Sequence, residues 1–460
     1  MKKLTLLLTS VFLSLIICFS FGCGSFVSDS ITGGNSGGSG GSATGGATTD
    51  YSVILGESSS MTESVTIKSA EERAESPLSE KEARQKVART SVALKTSGYG
   101  SGVIIDIDDG VDYGDKEDNI FYVVTCQHMV SMGGAITVYV ADEDNNYDND
   151  DYIFEGTIGG AVAENQAVSL IGGDAVSDVA LLRLYIESDA IAATIEKAQI
   201  LDTTKYSVEL YESVFAIGNP TGTLPGSATS MGVANPLRKD VLCESAGYMT
   251  LMQIAVGTNP GNSGGGLYNL YGELIGITNA GNTNYESINF AIPLKTTENA
   301  DEEDRGFVNV ISQLLGTYMA SNGKNYGYIS GRWSLGVTVY YNAYDTRIGF
   351  QTVSEGSMAA NAGALADDEI ISIAFHDKVH DEDVIYSIAE LVNSGMSASS
   401  GFNLLMNMIK STLIEGENFT ITVRRTSGRS SSQKDLNFVI ANASYIFADT
   451  GVYAGITKAA

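Results

Sequence analysis

Phe121-Tyr122-Val123-Val124-Thr125-Cys126-Gln127-His128-Met129-Val130 is a run of apolar and β-branched residues that closes on a histidine. It reads as a strongly apolar strand with the imidazole at its end. Companion runs stand on either side: Ser91-Val92-Ala93-Leu94, Gly102-Val103-Ile104-Ile105, Ile136-Thr137-Val138-Tyr139-Val140 and Val179-Ala180-Leu181-Leu182-Arg183-Leu184. Turn signals separate them. So many short β-branched segments indicate an all-β barrel or a pair of barrels. Composition agrees, because glycine is abundant at 51 residues, proline scarce at 6, and 43% of residues are hydrophobic. That is enough apolar surface for sizeable cores, and 460 residues call for two or three units.

Outward from that strand lies the chemistry. Asn259-Pro260-Gly261-Asn262-Ser263-Gly264-Gly265-Gly266-Leu267 sets a serine among four glycines in an apolar β region. Glycine lets backbone N–H groups converge on one spot, where they can hold an oxyanion while the serine attacks. A hydroxyl is a weak nucleophile and needs a base, a task that suits histidine near neutral pH. His128 is the only histidine before residue 376. In Ser177-Asp178-Val179-Ala180 an aspartate stands at the mouth of an apolar strand, where its carboxylate needs a partner. Each signal alone also fits a bland role: a glycine turn, a structural histidine, a surface aspartate. Together, in the order His, Asp, Ser across one β-rich region, they point to a nucleophilic triad.

At these residues the sequence resembles the trypsin-like serine peptidases of the HtrA/Deg family. The nucleophile segment Asn259 to Gly265, the strand Gly272-Glu273-Leu274-Ile275-Gly276-Ile277 and the hairpin Gly100-Ser101-Gly102-Val103-Ile104-Ile105-Asp106 are similar to the family's. So are Phe215-Ala216-Ile217-Gly218-Asn219-Pro220 and Asn289-Phe290-Ala291-Ile292-Pro293. The chain departs from the usual Thr-Asn-Ala-His at Thr125-Cys126-Gln127-His128, from an aspartate at Ala255 and from a glycine at Asn289. The resemblance implies a mainly β chain: a chymotrypsin-like double barrel over residues 87–298, then a helix and linker at 299–325 and an α+β PDZ-like domain at 326–443. It implies peptide-bond hydrolysis by His128, Asp178 and Ser263 with no metal or organic cofactor. Gly261, Asn262 and Ser263 would form the oxyanion hole. Exposed or misfolded proteins, cut after small or medium apolar side chains, would be the substrates, and a homotrimer the assembly.

The C-terminal module carries its own likeness. Gly331-Arg332-Trp333-Ser334-Leu335-Gly336-Val337-Thr338-Val339 resembles the first strands of a PDZ domain, with Leu335, Gly336 and Val337 as the loop that holds a peptide carboxylate. Leu404-Leu405-Met406-Asn407-Met408-Ile409 fits the helix beside the peptide groove. Such domains take a chain end by strand addition. His376 and His380 lie in a polar stretch and read as exposed. A catalytically inactive chaperone or PDZ-based peptide binder is the alternative reading.

The N-terminus sets the compartment. Lys2 and Lys3 precede an apolar stretch from Leu4 to Phe21, which reads as a signal peptide over 1–22. Gly22-Cys23 resembles a bacterial lipobox, with Ser20 where leucine is usual, so Cys23 is the expected lipidation site; an uncleaved N-terminal anchor and simple secretion are the alternatives. Residues 23–50 are a Gly/Ser-rich tether, 51–86 are unassigned apart from a helix candidate at 79–88, and 444–460 form a tail. These features place the protein outside the cytoplasm, anchored to a bacterial cell membrane. A formal charge of −28 repels phosphate backbones and argues against nucleic acid. Cys126 and Cys243, the remaining pair outside the signal region, read as buried free thiols rather than a disulfide framework. The acidic loop 142–151 fails as a calcium loop, since Tyr147 and Ile153 stand where glycine and glutamate belong.

Overall fold

The computed structural model describes residues 73–440 apart from short interruptions at 109–117, 132, 160–165, 220–226, 244–245, 258, 282–287, 298, 300–302, 322–325, 330–331, 343 and 429, together with 66–69 and three two-residue strands near the ends. The expected signal peptide, Cys23 and nearly all of the tether lie outside the described residues. No helix among the described residues is long and apolar enough to cross a membrane.

The apolar runs form two barrels. The first holds β1 (Ser91–Lys95), β2 (Tyr99–Ile105), β3 (Ile120–Cys126), β4 (Gly134–Val140), β5 (Ile153–Ile158), β6 (Val168–Asp174) and β7 (Val179–Tyr185). They close in the order β7-β3-β2-β1-β4-β5-β6. The second begins with the short β8 (Gln199–Ile200) and continues through β9 (Ser213–Gly218), β10 (Ser227–Cys243), β11 (Gly247–Ile254), β12 (Gly266–Asn269), β13 (Glu273–Gly281) and β14 (Asn289–Pro293). Its path β13-β12-β9-β10-β11-β14 returns to β13 and closes a second barrel.

Period-2 alternation explains why the opening strand is apolar throughout. Phe121 and Val123 of β3 join the core inside the first barrel, whereas Tyr122, Val124 and Cys126 join a second core shared with the other barrel. On β7, Ala180, Leu182 and Leu184 face the first core, and Val179 and Leu181 the second. Both faces of these strands are therefore largely buried, and the polar positions include Thr125, whose hydroxyl donates to the Ser101 carbonyl, and the half-buried Arg183. Cys126 and Cys243 are buried and lie outside any disulfide.

The segment before the barrels docks on them. Helix α1 (Glu80–Val87) starts at Ser79, whose side chain forms a capping box with Glu82. It buries Ala83 and Val87, and Lys86 Nζ reaches the Tyr271 carbonyl at 2.9 Å. Arg73 pairs with the buried Glu273 at 2.7 Å. The helix candidate at 79–88 is thus realised as α1, and residues 73–78 ahead of it, unassigned by sequence, pack with it on the second barrel.

After the barrels, α2 (Phe307–Ala320) lies along β6 and β7. The C-terminal module follows, with strands β15 (Val337–Tyr341), β16 (Ile348–Val353), β17 (Glu369–Asp377), β18 (Glu382–Ser387), β19 (Asn418–Ser427) and β20 (Ser430–Val439). Its helices are α3 (Met358–Ala362), α4 (Ile388–Asn393) and α5 (Ala398–Thr412), the last of which contains the expected helix at 404–409. The sheet runs β15-β16-β17-β19-β20 with β18 on β17, and Thr48–Thr49 pair antiparallel with Val339 and Thr338 on the outer edge of β15. Helix α5 packs against β11 of the second barrel, where Tyr248 N–H donates to Ser411 Oγ at 3.0 Å. His376 and His380 are both exposed, as their polar stretch suggested, but His380 has a partner: its Nδ1 lies 2.8 Å from Asp377, which also accepts the Tyr248 hydroxyl at 2.9 Å. His376 likewise pairs with Asp383 at 3.0 Å.

Leu182 is fully buried in the first core. Leu182→Ala should lower the unfolding free energy by about 2–5 kcal/mol, the sum of lost transfer energy and a residual cavity. Urea denaturation followed by near-ultraviolet dichroism measures it, and a loss below about 1 kcal/mol would contradict packing on this face.

Candidate active site

Three of the sequence candidates come from the seam between the barrels. His128 sits in a short 3₁₀ turn directly after β3, Asp178 in the turn that joins β6 to β7, and Ser263 in the loop before β12. The β3–β7 pairing sets Cys126 opposite Val179, so the histidine and the aspartate leave adjacent strand ends.

The carboxylate of Asp178 is fully buried and saturated with donors. Oδ1 accepts the His128 backbone N–H at 2.8 Å, and Oδ2 lies 2.7 Å from His128 Nδ1. Oδ2 also accepts Asn279 Nδ2 at 2.6 Å, and the Asp178 carbonyl accepts the Gln127 N–H at 3.0 Å. Asp178 has φ +51°, a left-handed conformation that aspartate tolerates better than most residues. This hydrogen-bond pattern puts a proton on Nδ1 and leaves Nε2 of His128 with a lone pair. Nε2 is buried and has no hydrogen-bond partner among the described residues. Burial disfavours the imidazolium, but the Asp178 charge and its hydrogen bond outweigh that and raise the His128 pKa above its ordinary 6.5.

Ser263 does not close the triad in this arrangement. Its Oγ donates to the Asn279 carbonyl at 3.1 Å rather than to His128. The loop that carries it is locked from the first barrel: Ser101 N–H donates to the Ser263 carbonyl at 2.9 Å, and Ser101 Oγ to the Gly261 carbonyl at 2.7 Å. Ser101 Oγ in turn accepts the Asn219 N–H at 2.7 Å. Gly264 is required here. It has φ +86°, and a Cβ would lie 2.1 Å from the Ser101 carbonyl oxygen.

The oxyanion assignment needs one correction. The Asn262 N–H is committed to the Asn259 carbonyl at 2.9 Å and cannot serve an oxyanion, which leaves the N–H groups of Gly261 and Ser263 as candidates. Asn289 donates its side-chain amide to the Val256 carbonyl at 2.7 Å and so braces the chain leading into the loop. In the C-terminal module, the Gly336 N–H is engaged by Ser334 Oγ at 3.1 Å, and Leu335 and Val337 are buried. Of the expected carboxylate loop, Gly336 therefore has no N–H to offer in this arrangement.

Cys126 brings a third ligand-type atom, and the thiol, His128 and Asp178 have such atoms within 4.8 Å of one another. The group does not fit a metal. Cys126 Sγ contacts the Thr278 carbonyl at 3.4 Å, burial and then the Asp178 charge push the thiol pKa well above its ordinary value, and the carboxylate already accepts three N–H groups. Asn279 and Ser101 were missed by sequence reasoning. Both lie in quoted motifs or next to them, but nothing in a linear pattern shows that their polar groups meet Asp178 and the Ser263 loop.

Residues 100–277 match the family model of the trypsin-like peptidase domain. This span contains all three candidates. The chain is 31% identical over 225 residues to a probable periplasmic serine protease do/HhoA-like of Haemophilus influenzae, covering 48% of this chain and 39% of that protein. It is 28% identical over 292 residues to the periplasmic serine endoprotease DegP of Escherichia coli, covering 61% and 49%. The chain thus spans half or less of the length of these two relatives. A crystal structure of the serine endoprotease from Yersinia pestis aligns over 80% of this chain and 99% of its own at 20% identity, with a TM-score of 0.37.

A raised His128 pKa has a direct consequence for rate. Nε2 can accept a proton only when the imidazole is neutral, so activity should appear on an acidic limb centred above 6.5, and Asp178→Asn should move that limb to lower pH while lowering the rate. Measuring kcat/KM from pH 5 to 9, a range about two units around an ordinary histidine, tests this; a limb at or below the ordinary value would contradict it.

Proposed function

We propose that this protein is a serine endopeptidase. Ser263 attacks the carbonyl of a peptide bond, His128 Nε2 takes its proton and later returns it to the leaving amine, and Asp178 holds the imidazole and stabilises its cation. The N–H groups of Gly261 and Ser263 bind the oxyanion. The observation that carries this reading is the buried Asp178–His128 pair with Nε2 unengaged, set beside a glycine-locked serine loop. Attack requires the Ser263 hydroxyl to leave the Asn279 carbonyl and donate to Nε2, a change that catalytic hydrogen bonds commonly make only when substrate is bound.

The match to a trypsin-like peptidase domain and the likeness to periplasmic serine proteases support the same reading. On this basis the protein works outside the cytoplasm on exposed or misfolded proteins, held to the membrane by lipidated Cys23. The C-terminal module is a PDZ-type peptide binder. Its outer β15 edge is the site for strand addition, and Thr48–Thr49 already occupy two positions of it. An inactive chaperone or peptide binder is the second reading, favoured by the Ser263 hydroxyl resting on Asn279.

Two measurements decide between them. A fluorophosphonate should label Ser263, identified by peptide mapping, whereas a binder would stay unlabelled. Ser263→Ala should reduce casein hydrolysis by about a million-fold, the scale seen when a serine nucleophile is removed. Hydrolysis that survives this substitution would sink the proposal.

A further inference from the structure

A buried ion pair outside the triad joins the C-terminal module to the turn that carries Asp178. Arg332 stands three positions before Leu335, and its side chain is only 9% exposed. Its Nε and Nη2 donate to Oδ1 and Oδ2 of Asp174, each at 2.9 Å, and Nη1 lies 2.6 Å from Glu303. The pairing with Asp174 is bidentate, which fixes the carboxylate in orientation as well as position. Asp174 is itself 2% exposed, ends β6 and accepts the Ser177 N–H on Oδ2 at 3.0 Å. Val179 pairs with Asp174 across the hairpin, so this carboxylate braces the turn from which Asp178 projects with φ +51°. A neighbouring backbone bond runs alongside: the Gly327 N–H donates to the Ile171 carbonyl at 2.7 Å.

We infer that Arg332 is a positioning residue for the triad. By gripping Asp174 it holds the β6–β7 turn in the shape that delivers Asp178 to His128, and so the C-terminal module helps set the rate at Ser263. The inference rests on the serine-peptidase reading above. Burial opposes ionisation of Asp174, but the Arg332 charge and hydrogen bonds keep its carboxyl below the usual range. Without the guanidinium a buried carboxylate would be left unpaired, and the turn is the part free to rearrange.

The full-length chain carries the test, with the rate of fluorophosphonate labelling at Ser263 as the readout across pH. Among the described residues, Cys126 and Asp178 are titratable groups with atoms beside the His128 imidazole. Arg332→Met should slow labelling at least tenfold and move the acidic limb to lower pH, as Asp178 loses its grip on the imidazole. Arg332→Lys should recover part of the rate, and Asp174→Asn should slow labelling without adding to the loss when combined with Arg332→Met. If Arg332→Met fails to fold, Arg332→Lys and the isosteric Asp174→Asn make the same comparison. Folded variants that label at the wild-type rate with an unmoved limb, even with a lower melting temperature, overturn the positioning role. Wild-type protein that does not label at all sinks the peptidase reading instead, so the two failures are distinct.

Discussion

The buried carboxylate of Asp178 is the constraint around which the site is built. An isolated charge in a dry interior costs several kcal/mol unless donors surround it. Here the donors come from both barrels: two from His128 at the end of β3, and one from Asn279 on β13. Satisfying one aspartate therefore ties the end of β3, the β6–β7 turn and the second barrel together. A chain that folded the barrels but displaced any of these would leave the charge underpaired. The histidine is held in one tautomer as a by-product of the same requirement.

The nucleophile loop obeys a different constraint, set by neutral hydrogen bonds and close packing rather than by a buried charge. Ser101 reaches from the first barrel to grip the carbonyls of both Gly261 and Ser263. Thr125 donates to the Ser101 carbonyl at 2.7 Å, so β3 also steadies the residue that steadies the loop. The backbones meet so closely at Gly264 that a single carbon would collide with them. The seam is bolted beside the reactive groups, where a small slip between barrels would separate base from nucleophile.

How much of this was legible in the chain depends on range. The strands were, because runs such as Phe121 to Cys126 are buried on both faces and are built almost wholly of apolar and β-branched residues. His128, Asp178 and Ser263 were, because each is a chemically loaded residue in an otherwise apolar or glycine-rich setting. Asn279 and the Arg332–Asp174 pair were not. Their meaning lies wholly in what they meet, 101 and 158 residues away along the chain, and an asparagine or arginine seen alone has many uses. Backbone commitments were equally hidden. Nothing in Asn262 or Gly336 as residue types shows that their N–H groups are already engaged. The helix at 80–87 was legible as a candidate, but its docking was not, because that relies on a few long-range contacts such as Lys86 to Tyr271.

Asn279 joins the two constraints. Its side-chain amide serves the acid, and its own carbonyl takes the nucleophile's proton donor. A hydroxyl that donates to a carbonyl gains no nucleophilic character, since an amide oxygen is far too weak a base to accept the proton. The histidine meanwhile keeps Nε2 unengaged. Base and nucleophile are thus prepared separately and coupled only when the hydroxyl changes its acceptor. In the proposed mechanism that change falls to the serine hydroxyl, while hydrogen bonds already hold the imidazole, the carboxylate and the loop backbone. Such a site carries its rigidity in the charged pair and its freedom in the lightest group, which is where a substrate entering the seam can act with least disturbance to the fold.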